Sequence, residues 1–279
     1  MIARVAGAFT RAMLVGLLIA TPYLMMPGNV ADAPQMVVLA ALLAGLLTFI
    51  EYSSHFPSIV EFRDAPPFNR LRFLMLFTTI FLLSAVSRGT SEPSVLTGAM
   101  TSLGTIIGNA IDFPFSPVRL VVLMLPENAS AALVASVRTA AGISYLVSLT
   151  AMVCFVFLIR VLGWPTRNRV FNVWVNLPLF DPTTGGDVLD RLQRDARINI
   201  ALGFLLPFLI PAVVKAASFL VDPITLANPH TLIWTMTAWA FLPASMIMRG
   251  LALHRVADLI EEKRRRTYAE AEEDGLQPA

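Results

Sequence analysis

Glu51 and His55 stand four residues apart, one helical turn, and Glu61, Arg63 and Asp64 follow closely. An imidazole beside a carboxylate can act as a general base or ligate a metal. His254 lies far along the chain and could complete such a site. The sequence has only three histidines, and the third, His230, falls in a different segment. A haem held by His55 and His254 would need a haem motif, and none is present. The simpler reading is a polar loop with ion pairs, so no metal and no cofactor are expected. Phe56-Pro57 and the run from Asp64 to Arg70 make this loop stiff, aromatic and charged. It reads equally as a docking surface or as a plain connection.

Pro207 and Pro211 are four apart in an apolar stretch, with Lys215 one turn further on. Two prolines free backbone carbonyls and could open a bent helix around a solute. Lys215 would then be a charge partner for transport. Against this, proline is common in membrane helices, and a lysine near a helix end can snorkel to the headgroups.

Gly98, Gly104 and Gly108 lie in a run rich in Ser and Thr. Gly104-x-x-x-Gly108 would let another helix backbone come close, within the chain or on a partner. Lys263, Arg264, Arg265 and Arg266 form a basic cluster suited to anionic lipid headgroups. Leu253, Val256 and Ile260 share one face of a helix continuing past Arg249, on which Glu261 and Glu262 are placed to pair with Arg265 and Arg266 at i,i+4. Beyond them, residues 268–279 are acidic and are expected to be disordered.

The elements that must position these residues are membrane spans. Of 279 residues, 56% are apolar and only 14% charged. Soluble domains carry about 25% charged residues. The balance excludes a disordered chain, a nucleic-acid-binding domain and an ordinary cytosolic enzyme. One cysteine, Cys154, excludes an internal disulfide framework. A span needs about 20 apolar residues. Six candidates run at about 12–26, 36–50, 73–87, 139–159, 198–221 and 231–248. The second and third have short apolar cores and need their flanks.

Arginine and lysine set the orientation. With the N terminus inside, 17 of the 21 basic residues fall on the cytoplasmic side. They sit in the N-terminal segment, the loop at 51–72, the loop at 160–197 and the tail. The outer loops at 27–35 and 222–230 carry none. Both termini are therefore expected in the cytoplasm.

Residues 94–111 are uncharged and long enough to span, but spanning would send the arginine-rich loop at 160–197 outside. The outer segment 88–138 is therefore expected to be re-entrant, or to pack as interfacial helices. Ser116-Pro117 reads as an N-cap with proline at the first helical position. Asn128 or Ser130 can cap a helix running unbroken into the fourth span. Val170 to Phe180 is rich in β-branched and aromatic residues, followed by a turn cluster at 181–186. From Asp187 the pattern becomes an interfacial helix feeding the fifth span. Trp164, Trp174, Trp234 and Trp239 fit interfacial anchoring or packing. The first span could be a signal peptide, but the one small-x-small site, Ala31 to Ala33, precedes Pro34, so a retained helix is favoured.

The expected fold is all-α: one membrane domain of six helices with both termini inside. Arginine outnumbers lysine 19 to 2, a habit of GC-rich bacterial genomes that points to an inner membrane. No P-loop, G-x-G-x-x-G, H-E-x-x-H, G-x-S-x-G or C-x-x-C motif is present. The expected function is a non-catalytic accessory, assembly or scaffold component. Its partners are the bilayer and another membrane protein or a second copy. A small-solute transporter is the alternative, and an enzyme using His55 the weakest.

Overall fold

The computed structural model describes residues 2–26, 34–165, 171–181, 185–218 and 225–273. In chain order the helices are α1 (Ile2–Met25), α2 (Pro34–Ser53), α3 (Phe68–Ser91), α4 (Val95–Ile111) and α5 (Pro117–Leu123). They continue with α6 (Ala131–Arg160), α7 (Val173–Asn176), α8 (Val188–Ala217) and α9 (Pro229–Glu273). No strand occurs among the described residues. Six helices are long and apolar enough to cross a bilayer, as a multi-pass membrane protein requires: α1, α2, α3, α6, α8 and α9.

The starts of the helices follow local chemistry. The Ser116 hydroxyl accepts the Arg119 amide at the start of α5, with Pro117 inside. The Ser130 hydroxyl does the same for Leu133, and α6 then runs thirty residues without a break. Ser94 and Thr97 form a reciprocal capping box on α4. Each cap satisfies an amide that the first helical turn leaves without a carbonyl partner.

The second and third spans draw on their flanks, as expected: α2 and α3 extend to 20 and 24 residues. The helix expected from Asp187 feeds the fifth span without a break, and α8 is continuous to Ala217. The β-branched run at 170–180 holds the single turn α7 among its described residues. The helix expected to continue past Arg249 does so, and α9 is one helix of 45 residues. At 1.5 Å per residue it is about 68 Å long, twice the hydrocarbon thickness. Residues 268–273, expected to be disordered, belong to it, and 274–279 lie outside the described residues.

The spans alternate in direction, so chain segments meet at two ends. At one end lie the starts of α1, α3 and α8, the ends of α2 and α6, and the later part of α9. A buried aromatic knot closes this end. Phe62, Phe68, Phe155 and Trp164 have ring centroids 4.7 to 5.9 Å apart. The Trp164 indole N–H donates to the Ala65 carbonyl at 3.0 Å. At the opposite end, α4 and α5 fill the space between α3 and α6 on one side and α8 on the other.

Glycines set the closest crossings. A Cβ at Gly203 would lie 2.6 Å from the Pro243 carbonyl oxygen, and one at Gly250 2.7 Å from that of Ala196. These two contacts lock α8 against α9. The hairpin α1–α2 stands apart from this block, touching it mainly through α3. In the apolar windows of α1 and α2 only 11% and 6% of residues are buried.

Candidate functional site

At the arginine-rich end the structure gathers the acids near His55, and it uses them for folding. The Glu51 carboxylate accepts the amides of Ser58, Ile59 and Val60 at 3.1 to 3.2 Å, and the Ser58 hydroxyl. Three converging amides stitch the loop to the end of α2. Arg63 reaches the carbonyls of Glu51 and Ser54 at 2.8 and 2.9 Å, and that of His55 at 3.2 Å. Glu61 forms a two-pronged pair with Arg249 of α9, at 2.6 and 2.8 Å. The His55 side chain is exposed and makes none of these contacts. His254 is also exposed, 3.9 Å from Asp258 on its own helix. No group of three or more His, Cys, Asp or Glu residues that could hold a metal occurs among the described residues. His230 sits at the start of α9, at the opposite end.

The loop between α2 and α3 also folds as a plug against the α6–α8 connection. The Phe62 amide donates to the Asn176 carbonyl at 2.7 Å, and the Asp64 amide to the Asn176 side chain at 3.1 Å. The plug joins the α2–α3 and α6–α8 connections into one layer. The side chain of Trp174 lies outside the described residues.

Pro207 and Pro211 both lie inside the unbroken helix α8. Proline at 211 has no N–H, so the carbonyl of residue 207 loses its helical donor. The Trp239 indole N–H supplies one at 3.1 Å in a buried position. Lys215 donates to the Leu125 carbonyl at 3.3 Å, tying α8 to the end of α5. A cavity of about 50 Å³ lies beside Pro211, lined by Val121, Pro211, Met236 and Trp239. Replacing Trp239 with Phe is expected to strand the Pro207 carbonyl. An unsatisfied buried acceptor costs about 1–3 kcal/mol. Thermal unfolding in one detergent should show a clear loss for Trp239→Phe and none for Trp234→Phe, whose residue is 38% exposed. Equal behaviour of the two variants would refute the capping role.

Gly104 and Gly108 face α6. A Cβ at Gly108 would meet the Arg138 carbonyl oxygen at 2.9 Å, and one at Gly142 the Gly108 Cα at 2.5 Å. Gly98 has nothing within 4 Å and takes no part in this crossing. Gly142, its counterpart across the crossing, is not visible as a site in the sequence.

Next to this crossing a cleft of about 380 Å³ opens between α3, α4, α6 and the start of α9. Six hydroxyls line it: Ser87, Thr90, Thr101, Thr105, Ser136 and Thr139. Leu83, Leu133, Leu232 and Ile233 supply its apolar wall, and no ionised side chain lines it.

Three arginines at this end are paired with carboxylates. Asp112, its side chain 5% exposed, holds Arg119 at 2.8 Å and Arg138 at 2.6 Å. Arg88 is bound by Glu92 at 2.7 Å.

In the tail cluster, Arg264 donates through two nitrogens to Asp187, the N-cap of α8, both at 2.9 Å. Arg265 pairs with Glu261 at 3.6 Å. Glu262 lies 4.0 Å from Arg255 rather than on Arg266. Lys263 and Arg266 are exposed. The Arg264 guanidinium, with the Leu189 amide, draws the Asp187 carboxyl from 3.8 down to about 2. The folded carboxylate therefore stays ionised below the point where the unfolded one protonates. Its contribution is complete above about pH 4 and fades as pH falls towards 2. Spin labels at Gln193 and Thr267 should show one distance from pH 7 to 5 and a broader one near pH 2. A distance unchanged down to pH 2 would mean that Asp187 does not hold α9 there.

No family model, no curated protein and no solved structure matches this chain.

Proposed function

We propose that this chain is a non-catalytic, multi-pass protein of a bacterial inner membrane, an accessory, assembly or scaffold component that holds another membrane protein. Both termini lie in the cytoplasm in this reading. The basic residues outside the arginine-rich end number four: Arg88, Arg119, Arg138 and Lys215. Each is held by a carboxylate or a carbonyl. Placing the arginine-rich end inside follows the positive-inside rule.

One observation carries the scaffold reading: the α1–α2 hairpin is almost entirely unburied within the chain. The acids that could do chemistry are meanwhile spent on internal ties, Glu51 on loop amides and Glu61 on Arg249. Lipid tolerates any bulky apolar side chain, but a packed interface does not. Leu42 and Leu46 are 66% and 55% exposed on α2. A mild-detergent pull-down from native membranes is expected to recover a stoichiometric membrane partner. The Leu42→Trp, Leu46→Trp double variant should lose it while keeping its thermal stability. A chain that purifies alone would count against the reading.

The hydroxyl-lined cleft favours a second reading, movement of a small uncharged solute. It shifts that reading from the prolines of α8 to α3, α4 and α6. Ligand-induced stabilisation that Thr105→Val removes would support it.

A further inference from the structure

We propose that the seam between the α1–α2 hairpin and the main block binds one anionic phosphate group, held by Arg72 with Arg11 and Tyr52 at its rim. The proposal rests on placement in a bilayer and not on the scaffold reading. Arg72 lies in the second turn of α3, at the arginine-rich end. Its guanidinium is set against two rings, 5.4 Å from Phe68 and 5.8 Å from Phe241 of α9. Its Nε is buried and has no hydrogen-bond partner. A guanidinium is always charged and carries five donors, so a buried one needs acceptors.

Among the described residues that Nε has no acceptor. Both carboxylate oxygens of Glu61, the acid within electrostatic reach of Arg72, are taken by Arg249. Arg63 is spent on loop carbonyls and on Asp64. Arg11, on α1, stacks its guanidinium 4.7 Å from the Tyr52 ring centre, and Tyr52 lies within the field of Arg11 and Arg72. Arg11 spends one nitrogen on the Gly7 carbonyl of its own helix. Positive charge thus exceeds negative at this seam. Tyr52 couples electrostatically to both Arg11 and Arg72, and this pair of guanidinium groups suits an oxygen-rich monoanion. Arginine is the side chain best matched to phosphate. These residues sit near helix ends, where phospholipid headgroups lie, so the phosphodiester of an anionic lipid is the natural source. Free phosphate has the same chemistry.

The test compares nanodiscs of pure phosphatidylcholine with discs containing phosphatidylglycerol, read by native mass spectrometry and thermal unfolding. The wild-type chain is expected to retain one phosphatidylglycerol with a preference of about fivefold over phosphatidylcholine, the usual scale for one cation near an anionic surface. Its unfolding temperature should rise with that lipid. Arg72→Gln should lose both effects. Inorganic phosphate added to phosphatidylcholine discs separates the sources: stabilisation of the wild type alone would assign the site to a free anion. Should Arg72→Gln fail to fold, Arg11→Gln at the rim should still weaken the preference. Equal lipid preference in wild type and both seam variants, or neither a retained lipid nor stabilisation by phosphate, would overturn the proposal.

Discussion

Gly142→Ala is expected to destabilise the chain by about 2 kcal/mol or more, although alanine is the better helix former. A methyl at Gly142 would sit 2.5 Å from the Gly108 Cα and 2.9 Å from its amide nitrogen. Both are backbone atoms, so no side-chain rotation relieves the overlap. The α4 helix must move away from α6 instead. Helix propensity returns about 0.5–1 kcal/mol, too little to offset an overpacked crossing. The same substitution at Gly98 meets open space, so Gly98→Ala should be neutral or slightly stabilising. Gly104 is intermediate. Its new methyl would meet Ile143 Cδ1 at 2.6 Å and Thr139 Cγ2 at 2.8 Å, and the isoleucine tip can turn aside. Thermal unfolding in one detergent should rank the variants Gly142, Gly108, Gly104, Gly98 from most to least damaging. A neutral Gly142→Ala would mean that α4 does not approach α6 this closely. The Gly104→Leu and Gly108→Leu variants would break this crossing first. A lost partner in those variants would not by itself report an interface.

The apolar spans were legible because each needs a long apolar run, and charge is then confined to the connections. The Ser116-Pro117 and Ser130 caps were legible because capping depends on a single side chain and the next three amides. Helix continuity was harder. The shift from polar to apolar composition at Ile198 reads as a boundary. Yet no proline or glycine lies between Val188 and Leu202, so the backbone has no reason to break. The end of α9 was easier, because the apolar stripe of Leu253, Val256 and Ile260 and i,i+4 pairs such as Glu261–Arg265 mark the helix onward.

The candidate sites were the least legible part. A lone glycine in the cleanest span gives no periodic signal, and Gly142 gains meaning only opposite Gly108. Arg72 reads as one of several loop arginines. Only the fold sets it between Phe68 and Phe241 with its neighbouring acid already taken. Asp112 reads as the end of an apolar run and not as the anchor of two arginines.

Glu61 and Arg249 are 188 residues apart in sequence, and their pair is expected to be the strongest single tie at the arginine-rich end. The Glu61 side chain is 9% exposed and that of Arg249 31%. Removing one member of a buried pair costs about 3–5 kcal/mol, because the survivor keeps its charge without compensation. Partial exposure of Arg249 lowers the expectation for Glu61→Gln to about 3 kcal/mol. Glu61 also lies within reach of Arg72, so its loss leaves two cations facing each other at the junction of α3 and α9. The Phe62 and Ala65 contacts that seat the plug flank the same residue, so the aromatic knot should loosen with it. The sign of the double variant discriminates between causes. If the cost comes from stranded charge, Glu61→Gln with Arg249→Met should be more stable than Glu61→Gln alone, since an apolar pair of similar volume avoids desolvation. If the cost comes from lost packing, the second change should make matters worse. Thermal unfolding of the two single variants and the double variant in the same detergent yields the coupling directly. Coupling near zero would remove the pair from its role in closing this end of the bundle.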